Sequence, residues 1–435
     1  MYKSDKGKFV LGLIMVFLFA LTQNKSIIFI YFVILFAQEF LFMSRYQNER
    51  MIQQILMVIP LMGITVVDGI PLGNIYIALF ALYLLFIDRH IGMGRTKFSI
   101  YIIFIFADAM RLCIFSGLGL NIIGIISIPI LYLCIFAGIA AFEETNKGQI
   151  IHVYIPSFIE GVFLSVLYGG ITRYKSGGLI NVLVNTSIVN RNEGASGDPN
   201  YFGLYICLAV SMLILIMTIE KKYSLKYFSG SFILIVMGLS SSSRMFYITA
   251  LFLIGVLFLI LIMHTFDRKI FTTITIVVIL AVGLYFTRDI LVNNLDYVLT
   301  RLDTSNISEL TNGRSDLIES YMAYTNNNWF RMCFGIGIVQ YNIRSGIGAY
   351  AHNMYLELYV TMGIIGVMIV AAFVMKYFFS CRWNYKNICQ YIPIAIVAIC
   401  GAAVNFLEVD CFYMLFGLLF AILSMRNEEE KMIYD

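Results

Sequence analysis

Long apolar runs follow one another along almost the whole chain, and this succession constrains the fold more than any other feature. Many of the runs approach the roughly 20 residues that a helix needs to cross a bilayer. Only 13% of the 435 residues are charged, whereas soluble proteins carry about 25%. Backbone polar groups in lipid must bond within their own segment, so the runs predict helices. We therefore expect an all-α, polytopic transmembrane bundle of about 12–14 helices.

The same runs divide the chain into spans and loops. We predict one polytopic membrane domain, 1–435, with a first extracytoplasmic loop at 171–200 and a large one at 288–351, before the C-terminal three helices. In the large loop, apolar spacing from Leu291 to Leu302 predicts an amphipathic helix over the mouth of the bundle. The predicted spans are 8–22, 26–43, 51–68, 73–88, 98–116, 119–142, 150–170, 200–219, 227–241, 245–263, 269–287, 352–376, 388–405 and 409–425.

Positive residues predict the orientation of the bundle. With the N-terminus in the cytoplasm, most lysines and arginines fall in loops on the cytoplasmic side, as the positive-inside rule requires. Both termini are then cytoplasmic. Positive residues on the outer side are mostly arginines, whose planar fork suits phosphate or carboxylate. Salt bridges within the outer loops are the alternative explanation. The outer residues are Lys25, Arg173, Lys175, Arg191, Arg244, Arg288, Arg301, Arg314, Arg331 and Arg344.

The first outer loop ends in a pattern that predicts a helix start. Arg191 and Gly194 precede Asp198-Pro199-Asn200, and an Asp before Pro disfavours helix, so the helix should begin near Pro199. Its N-terminus would face outward, with free amides and the positive dipole end available to an anion. The alternative is that Asp198 is a plain helix cap.

A second arginine lies on a tight turn of small hydroxyl residues, Ser240 to Ser243, followed by Arg244. This turn should lie at or slightly below the outer membrane surface, where an arginine is costly unless it has a partner. Its side chain could instead extend to the interface. Two glycine patterns follow in the large loop, Gly313-Arg314 and Gly335-Ile336-Gly337. These glycines permit a close approach of the backbone to another group.

The segment that opens the twelfth span contains the one histidine predicted on the outer face. It reads His352-Asn353-Met354-Tyr355, and a neutral imidazole beside an anion-binding arginine cluster suits a general base. A structural histidine is the alternative. Asn353 and Tyr355 in this segment, Asn200, and Glu408 in the last outer turn are secondary candidates, together with Asp198.

Charged residues within the spans have a simpler prediction. Asp108 and Arg111 are three residues apart in one span, so we expect them to pair with each other. The eight cysteines show no CxxC metal-binding pattern. The net charge of +4 is spread along the chain and gives no sign of nucleic-acid binding.

In this order, the patterns resemble the O-antigen polymerase and O-antigen ligase superfamily of bacterial envelope enzymes. The resemblance covers roughly residues 170–370. It rests on R-x-x-G-x-x-x-D-P-N at 191–200, Ser-Ser-Arg at 242–244, Gly-Arg at 313–314, Gly-x-Gly at 335–337 and His-Asn-x-Tyr-Leu with Gly-x-x-Gly at 352–366. It implies a GT-C-like, multi-pass glycosyltransferase of the bacterial inner membrane, with no metal or other cofactor. It also implies an undecaprenyl-pyrophosphate-linked oligosaccharide substrate, and a chain-length regulator and a flippase as partners.

The resemblance implies a reaction on the extracytoplasmic face. A polymerase transfers a glycan chain from undecaprenyl pyrophosphate to another lipid-linked repeat unit. We expect Arg191, Arg244 and Arg314 to bind the pyrophosphate, and His352 to deprotonate the attacking hydroxyl with inversion at the anomeric carbon. An O-antigen ligase or related glycan ligase is the alternative within the family. A polysaccharide flippase or solute transporter is the alternative from another class; transporters usually place charged residues and broken helices at the midplane.

Overall fold

The computed structural model describes residues 6–41, 47–67, 70–86, 95–115, 122–143, 145–183, 191–265, 292, 314–380, 388–407, 409 and 411–425. This part of the chain is helical apart from turns, connections and one pair of two-residue antiparallel strands. The all-α prediction is therefore confirmed except at this strand pair. The predicted span at 269–287, the predicted helix from Leu291 to Leu302 apart from residue 292, and Glu408 lie outside the described residues.

The N-terminal elements correspond to the predicted spans, with changes at their ends of which the largest is the extension of the seventh span to Leu183. The third span is a helix followed by a 3-10 helix, Ile59–Thr65, and the strand pair. The short helix α7 (Lys147–Gln149) continues through a π-helical turn, Ile150–Tyr154, into α8 (Ile155–Leu183). These elements are α1 (Lys6–Thr22), α2 (Lys25–Leu41), α3 (Gln47–Val58), β1 (Val66–Val67), β2 (Ile70–Pro71), α4 (Leu72–Phe86), α5 (Arg95–Phe115), α6 (Ile122–Ala140), α7 (Lys147–Gln149) and α8 (Ile155–Leu183).

The C-terminal elements include three helices from the second outer loop. These are the short helices α12 to α14, which precede the long helix α15. In chain order the elements are α9 (Pro199–Glu220), α10 (Leu225–Leu239), α11 (Arg244–Thr265), α12 (Arg314–Asn326), α13 (Trp329–Phe334), α14 (Tyr341–Arg344), α15 (Met354–Ser380), α16 (Ile388–Cys400) and α17 (Phe412–Ser424).

Helix α9 forms the centre of the bundle. Every residue from Phe202 to Met217 is buried, which is the pattern of a helix that is apolar on all sides and surrounded by other helices. Helices α8, α10, α11 and α16 pack around it. The helix begins at Pro199, as predicted, so the loop and turn that flank its N-terminus are held at the end of a rigid element.

Four helices in the described part of the chain are long and apolar enough to cross a membrane: Lys147–Gly178, Pro199–Glu220, Arg244–Ile262 and Met354–Lys376. Shorter apolar helices accompany them. This composition supports a multi-pass membrane protein. Helix α8 continues to Leu183 through a kink at Gly177 and Gly178, so helical backbone occupies the first part of the stretch predicted as the loop 171–200.

Helix α15 is broken at Gly363, whose φ is +66°. Ahead of the break, the carbonyl groups of Val360 and Thr361 accept hydrogen bonds from the backbone amides of Ile336 and Gly337, at 3.0 and 2.9 Å. A Cβ atom on Gly335 or Gly363 would collide with the backbone that packs against it. The glycines at 335–337 therefore permit a close backbone approach, as predicted, and the group that they approach is the broken helix.

The prediction that Asp108 pairs with Arg111 is wrong. The carboxylate of Asp108 forms an ion pair with Arg344 at 3.4 Å, and both side chains are almost completely buried. Asp108 also accepts a hydrogen bond from the amide of Ile338 at 3.2 Å, while Arg111 acts on it only electrostatically. The alternative explanation of the outer arginines, a salt bridge, therefore applies to Arg344, although its partner is a helix residue and not a loop residue.

Candidate functional site

One wall of the candidate site joins the first outer loop to the serine turn. We call it the serine wall; it consists of residues 191–200 and 240–244. The backbone amide of Asn192 donates to the carbonyl of Ser240 at 3.0 Å, and its side-chain amide donates to the Ser240 hydroxyl at 2.8 Å. Arg191 Nε donates to the carbonyl of Ser241 at 3.0 Å. These bonds hold the loop directly against the turn.

Asn200 connects the two predicted arginine patterns. Its side-chain oxygen accepts from Arg191 Nη2 at 3.4 Å and from the hydroxyl of Ser243 at 2.9 Å. Arg244 is the next residue and begins α11. Ser242 has a left-handed backbone with a φ of +47°, a strained conformation that often accompanies functional sites. The structure thus brings together Arg191, Asn200 and the residue that precedes Arg244.

Asp198 is a helix cap, which was the alternative to anion binding at the start of α9. Its carboxylate accepts from the backbone amides of Asn200 and Tyr201, at 2.7 and 3.2 Å. Two of the free amides of the helix are therefore already bonded to this carboxylate. The helix start is therefore a weaker candidate for anion binding than the arginine side chains.

His352 lies on a second wall, which we call the histidine wall and which consists of residues 314–353. Its φ of +48° is again left-handed. The next residue, Asn353, caps α15 by accepting from the amides of Tyr355 and Leu356, at 3.0 and 3.1 Å. Arg314 begins α12 on the same wall. The histidine is thus fixed directly before a capped helix and is exposed at its surface.

Electrostatics connect the two walls. Partial burial, and then the positive charge of Arg314, lower the pKa of His352 below its usual value, while the negative charge of Asp198 opposes this shift. His352 therefore lies within electrostatic reach of a residue from each wall. A lowered pKa keeps the imidazole neutral at pH 7, which is the form that accepts a proton.

A buried hydrogen-bond network supports the backbone next to His352. The hydroxyl of Tyr341 accepts from the amide of Ala351 at 3.1 Å and from the side-chain amide of Asn405 at 3.3 Å. The carbonyl of Asn405 in turn accepts from the hydroxyl of Tyr201, in the first turn of α9. This network connects the residue before His352 with the helix that Asp198 caps.

The secondary candidates have contacts that suit structural roles. Tyr355 directs its hydroxyl to the carbonyl of Ala398 in α16, at 2.6 Å. Sequence reasoning gave no role to Glu357, which is fully buried and accepts from the amide of Phe406 at 3.2 Å. It also missed Asn192, Tyr341 and Asn405. The sequence marks these residues only as polar side chains near the predicted motifs. Their hydrogen-bond partners lie on distant segments and could not be recognised from the sequence.

A comparison with known protein families finds a match in the middle of the chain. Residues 229–371 match the family model described as O-antigen ligase. This match supports the O-antigen polymerase and ligase superfamily for this part of the chain. Members of this family are glycan-processing enzymes. The matched residues, 229–371, include Arg244, Arg314 and His352. Arg191 and Asn200 precede them. No curated protein matches the chain.

Proposed function

We propose that the protein is a polysaccharide polymerase with a GT-C-like bundle. It transfers a glycan chain from undecaprenyl pyrophosphate to another lipid-linked repeat unit on the extracytoplasmic face of the inner membrane. The product would be O-antigen, capsule or exopolysaccharide. The observation that carries this proposal is the position of His352, which has a lowered pKa and lies within electrostatic reach of Arg314 and Asp198. The match to the O-antigen ligase family supports the class of reaction.

The donor is a lipid pyrophosphate, and its leaving group gains negative charge as the glycosidic bond breaks. Arg191, Arg244 and Arg314 would bind this group, because guanidinium groups form paired hydrogen bonds with phosphate oxygens. Preorganised positive groups stabilise charge as it develops in the transition state. Arg191 is held by Ser241 and Asn200, which supports a fixed position for its charge.

His352 would act as the general base. The acceptor hydroxyl oxygen attacks the anomeric carbon of the donor sugar, and its proton passes to the neutral imidazole. The bond from that carbon to the pyrophosphate oxygen breaks, and its electron pair leaves with the pyrophosphate. A single displacement of this kind inverts the anomeric centre. The reaction requires no metal or other cofactor in this scheme.

The decisive experiment incubates the purified protein with lipid-linked repeat units and separates the products by size. We expect a ladder of chain lengths from the unaltered protein. His352→Ala should reduce the rate by about 10²–10⁴-fold, the usual contribution of a general base. His152→Ala is the matched control, because that histidine pairs with Glu220 at the cytoplasmic end of the predicted topology. Near-normal polymer from His352→Ala at normal protein levels would exclude this histidine as the base.

A glycan ligase is the second candidate, and the description of the matching family favours it. A ligase would join the donor glycan to a lipid A core acceptor even when the glycan is a single repeat. The same preparation should therefore be offered both acceptors. Lengthening of the chain indicates a polymerase, and addition to the core without lengthening indicates a ligase. Movement of lipid-linked sugar across vesicles without any new glycosidic bond would indicate a transporter instead.

A further inference from the structure

Part of the predicted outer loop lies beside a membrane helix and not above it. The hydroxyl of Tyr359 in α15 donates to the side-chain oxygen of Asn326, at 2.5 Å. Further on, the backbone at Cys333 lies directly against Gly363, where a Cβ atom would collide with it. The short helix α13 (Trp329–Phe334) therefore descends along α15 by about one helical turn.

Helix α15 measures how deep this segment lies. Met354 precedes Gly363 by about two and a half turns, or about 13 Å. In the other direction, Lys376 follows Gly363 by about 20 Å, whereas the hydrocarbon core is about 30 Å thick. With the Lys376 end at one edge of the core, the contact at Gly363 lies about 10 Å inside the opposite edge.

Helix α5 gives the same depth independently. It has 21 residues, so its length of about 31 Å is close to the thickness of the core. Asp108, which accepts from the amide of Ile338 at 3.2 Å, is about two turns from the end at Phe115, or about 10 Å inside it. Residues 335–339, all of them buried, thus lie at membrane depth on the evidence of two helices.

The irregular backbone of residues 335–339 has the protein contacts that such structure needs inside a membrane. Such structure is tolerated where it is buried in protein and its polar groups are bonded. The amides of Ile336 and Gly337 bond to the broken helix α15, and Ile338 bonds to Asp108. The carbonyl of Ile336 accepts from Arg344 at 2.6 Å.

Helix α13 presents an edge of three aromatic rings away from the protein. Trp329 is 70% exposed, and Phe330 and Phe334 are more than one third exposed. Their rings form a continuous row, with centroid distances of 6.0 Å between Trp329 and Phe330 and 5.0 Å between Phe330 and Phe334. Helix α15 also has exposed apolar residues after Gly363, namely Ile364, Ile365, Met368 and Ile369.

The one charged residue of α13 is turned away from that edge. The guanidinium of Arg331 lies over the ring of Tyr324 in α12, at 4.0 Å, and donates to the Tyr324 carbonyl at 3.2 Å. Tryptophan and phenylalanine on one side, with the charge directed back towards the end of the bundle, is the arrangement of a segment at the membrane interface.

We propose that residues 329–339 form a re-entrant segment, and that the row of Trp329, Phe330 and Phe334 is inserted among the lipids of the leaflet on the side of the candidate site. The partner is the phospholipid surface itself, at the level between headgroups and upper acyl chains. The segment would fix the histidine wall at the depth where a lipid-linked pyrophosphate lies. This inference does not depend on the proposed reaction.

The chain has only two tryptophans, Trp329 and Trp383, which makes the proposal directly testable. The W383F variant, reconstituted in phosphatidylcholine vesicles, reports on Trp329 alone. Two controls carry Trp329→Phe and Trp383→Phe and place a tryptophan elsewhere. One has Met322→Trp on the exposed side of the polar helix α12, and the other has Met368→Trp on the exposed apolar side of α15. Each protein is measured with lipids brominated near the glycerol or near the chain end, and with aqueous acrylamide.

We expect Trp329 to be quenched most by shallow bromines and to emit at a shorter wavelength than the tryptophan at position 322. The tryptophan at 368 should respond most to deep bromines, and the one at 322 mainly to acrylamide. If Trp329 behaves like the tryptophan at 322, its aromatic edge faces water and the proposal is wrong. If neither reagent quenches Trp329, another protein surface covers it, and the proposal is equally wrong.

Discussion

The two walls of the candidate site are held in place by different means. The serine wall is a set of short polar contacts among residues 191–200 and 240–243, near the end of the bundle. The histidine wall is anchored at depth, by the buried pair of Asp108 and Arg344 and by backbone contacts at the break in α15. The serine wall is thus fixed at its rim, and the histidine wall is fixed well below His352.

This difference separates two kinds of mutational effect. Loss of a contact in the serine wall breaks one hydrogen bond in a set whose serines and Asn192 are buried, which costs about 1–3 kcal/mol. Loss of a contact beneath the histidine wall leaves a charge or a polar group buried, which costs much more. We therefore expect substitutions in the serine wall to affect binding more than folding. Substitutions at the buried contacts that anchor the histidine wall should affect folding most.

The largest effect is expected from the buried ion pair. Arg344→Met leaves the Asp108 carboxylate buried without its ion-pair partner and should lower the free energy of unfolding by about 3–5 kcal/mol. The measurement is denaturant unfolding in detergent. The double variant Asp108→Leu with Arg344→Met removes both charges and should recover most of the loss. A double variant as unstable as the single one would show that the pair does not carry this stability.

The next effect separates packing from backbone strain beside that pair. Gly337 and Gly346 both have positive φ, +95° and +74°. A Cβ atom on Gly337 would meet Arg344 and Asp108, whereas nothing lies within 4 Å of the same position on Gly346. Both alanine variants should lower the free energy of unfolding by about 1–2 kcal/mol, because alanine in a left-handed backbone is strained. Gly337→Ala should lose about 1–3 kcal/mol more, because of overpacking; equal losses in unfolding experiments would contradict the close approach.

Sequence reasoning works well where the determining signal is local. Apolar length predicts most described helices, because a span must be about as long as the membrane is thick. The Asp198-Pro199 pair predicts the start of α9, because the cap and the helix are neighbours in the chain. The partner of Asp108 could not be found in this way, since Arg344 is 236 positions away and the nearer Arg111 satisfied every local criterion.

The candidate site was predictable only as a group of residues on one face. Arg191, Arg244, Arg314 and His352 follow from charge bias and topology, without any contact among them being known. The support from Tyr341 could not be predicted, because its hydroxyl joins segments that are distant in sequence. The depth of α13 could not be predicted either, because a helix of six residues that includes an arginine is far shorter than a span.

A smaller effect should distinguish the serine wall from a purely structural loop. Arg191→Lys keeps the charge but cannot reproduce both bonds, to the Ser241 carbonyl and to Asn200. We expect stability to fall by about 1–2 kcal/mol and KM for the lipid-linked donor to rise. Arg173→Lys, in α8, is the control and should leave KM unchanged. An equal rise in KM in both variants would indicate a general effect of replacing an outer arginine by lysine, not the loss of the specific contacts of Arg191.

The smallest effect is a change in pH dependence, and it tests the electrostatic link between the walls. The proposed reaction requires the neutral imidazole, so kcat/KM should fall as the pH decreases through the pKa of His352. Arg314 lowers that pKa, and Asp198 raises it. Arg314→Gln should therefore move the acidic fall in activity to higher pH, and Asp198→Asn should move it to lower pH. Asparagine is also a good helix cap, so α9 should be preserved in the second variant.

Arg314→Lys is the control for this measurement, because it keeps the positive charge while losing the planar fork. Its acidic limb should stay in place even if the rate is lower. Shifts of opposite sign in Arg314→Gln and Asp198→Asn would not arise from misfolding, which lowers activity without moving the limb in two directions. Shifts of the same sign would show that His352 does not lie between these two charges in the working enzyme, and the site would then have to be built from one wall alone.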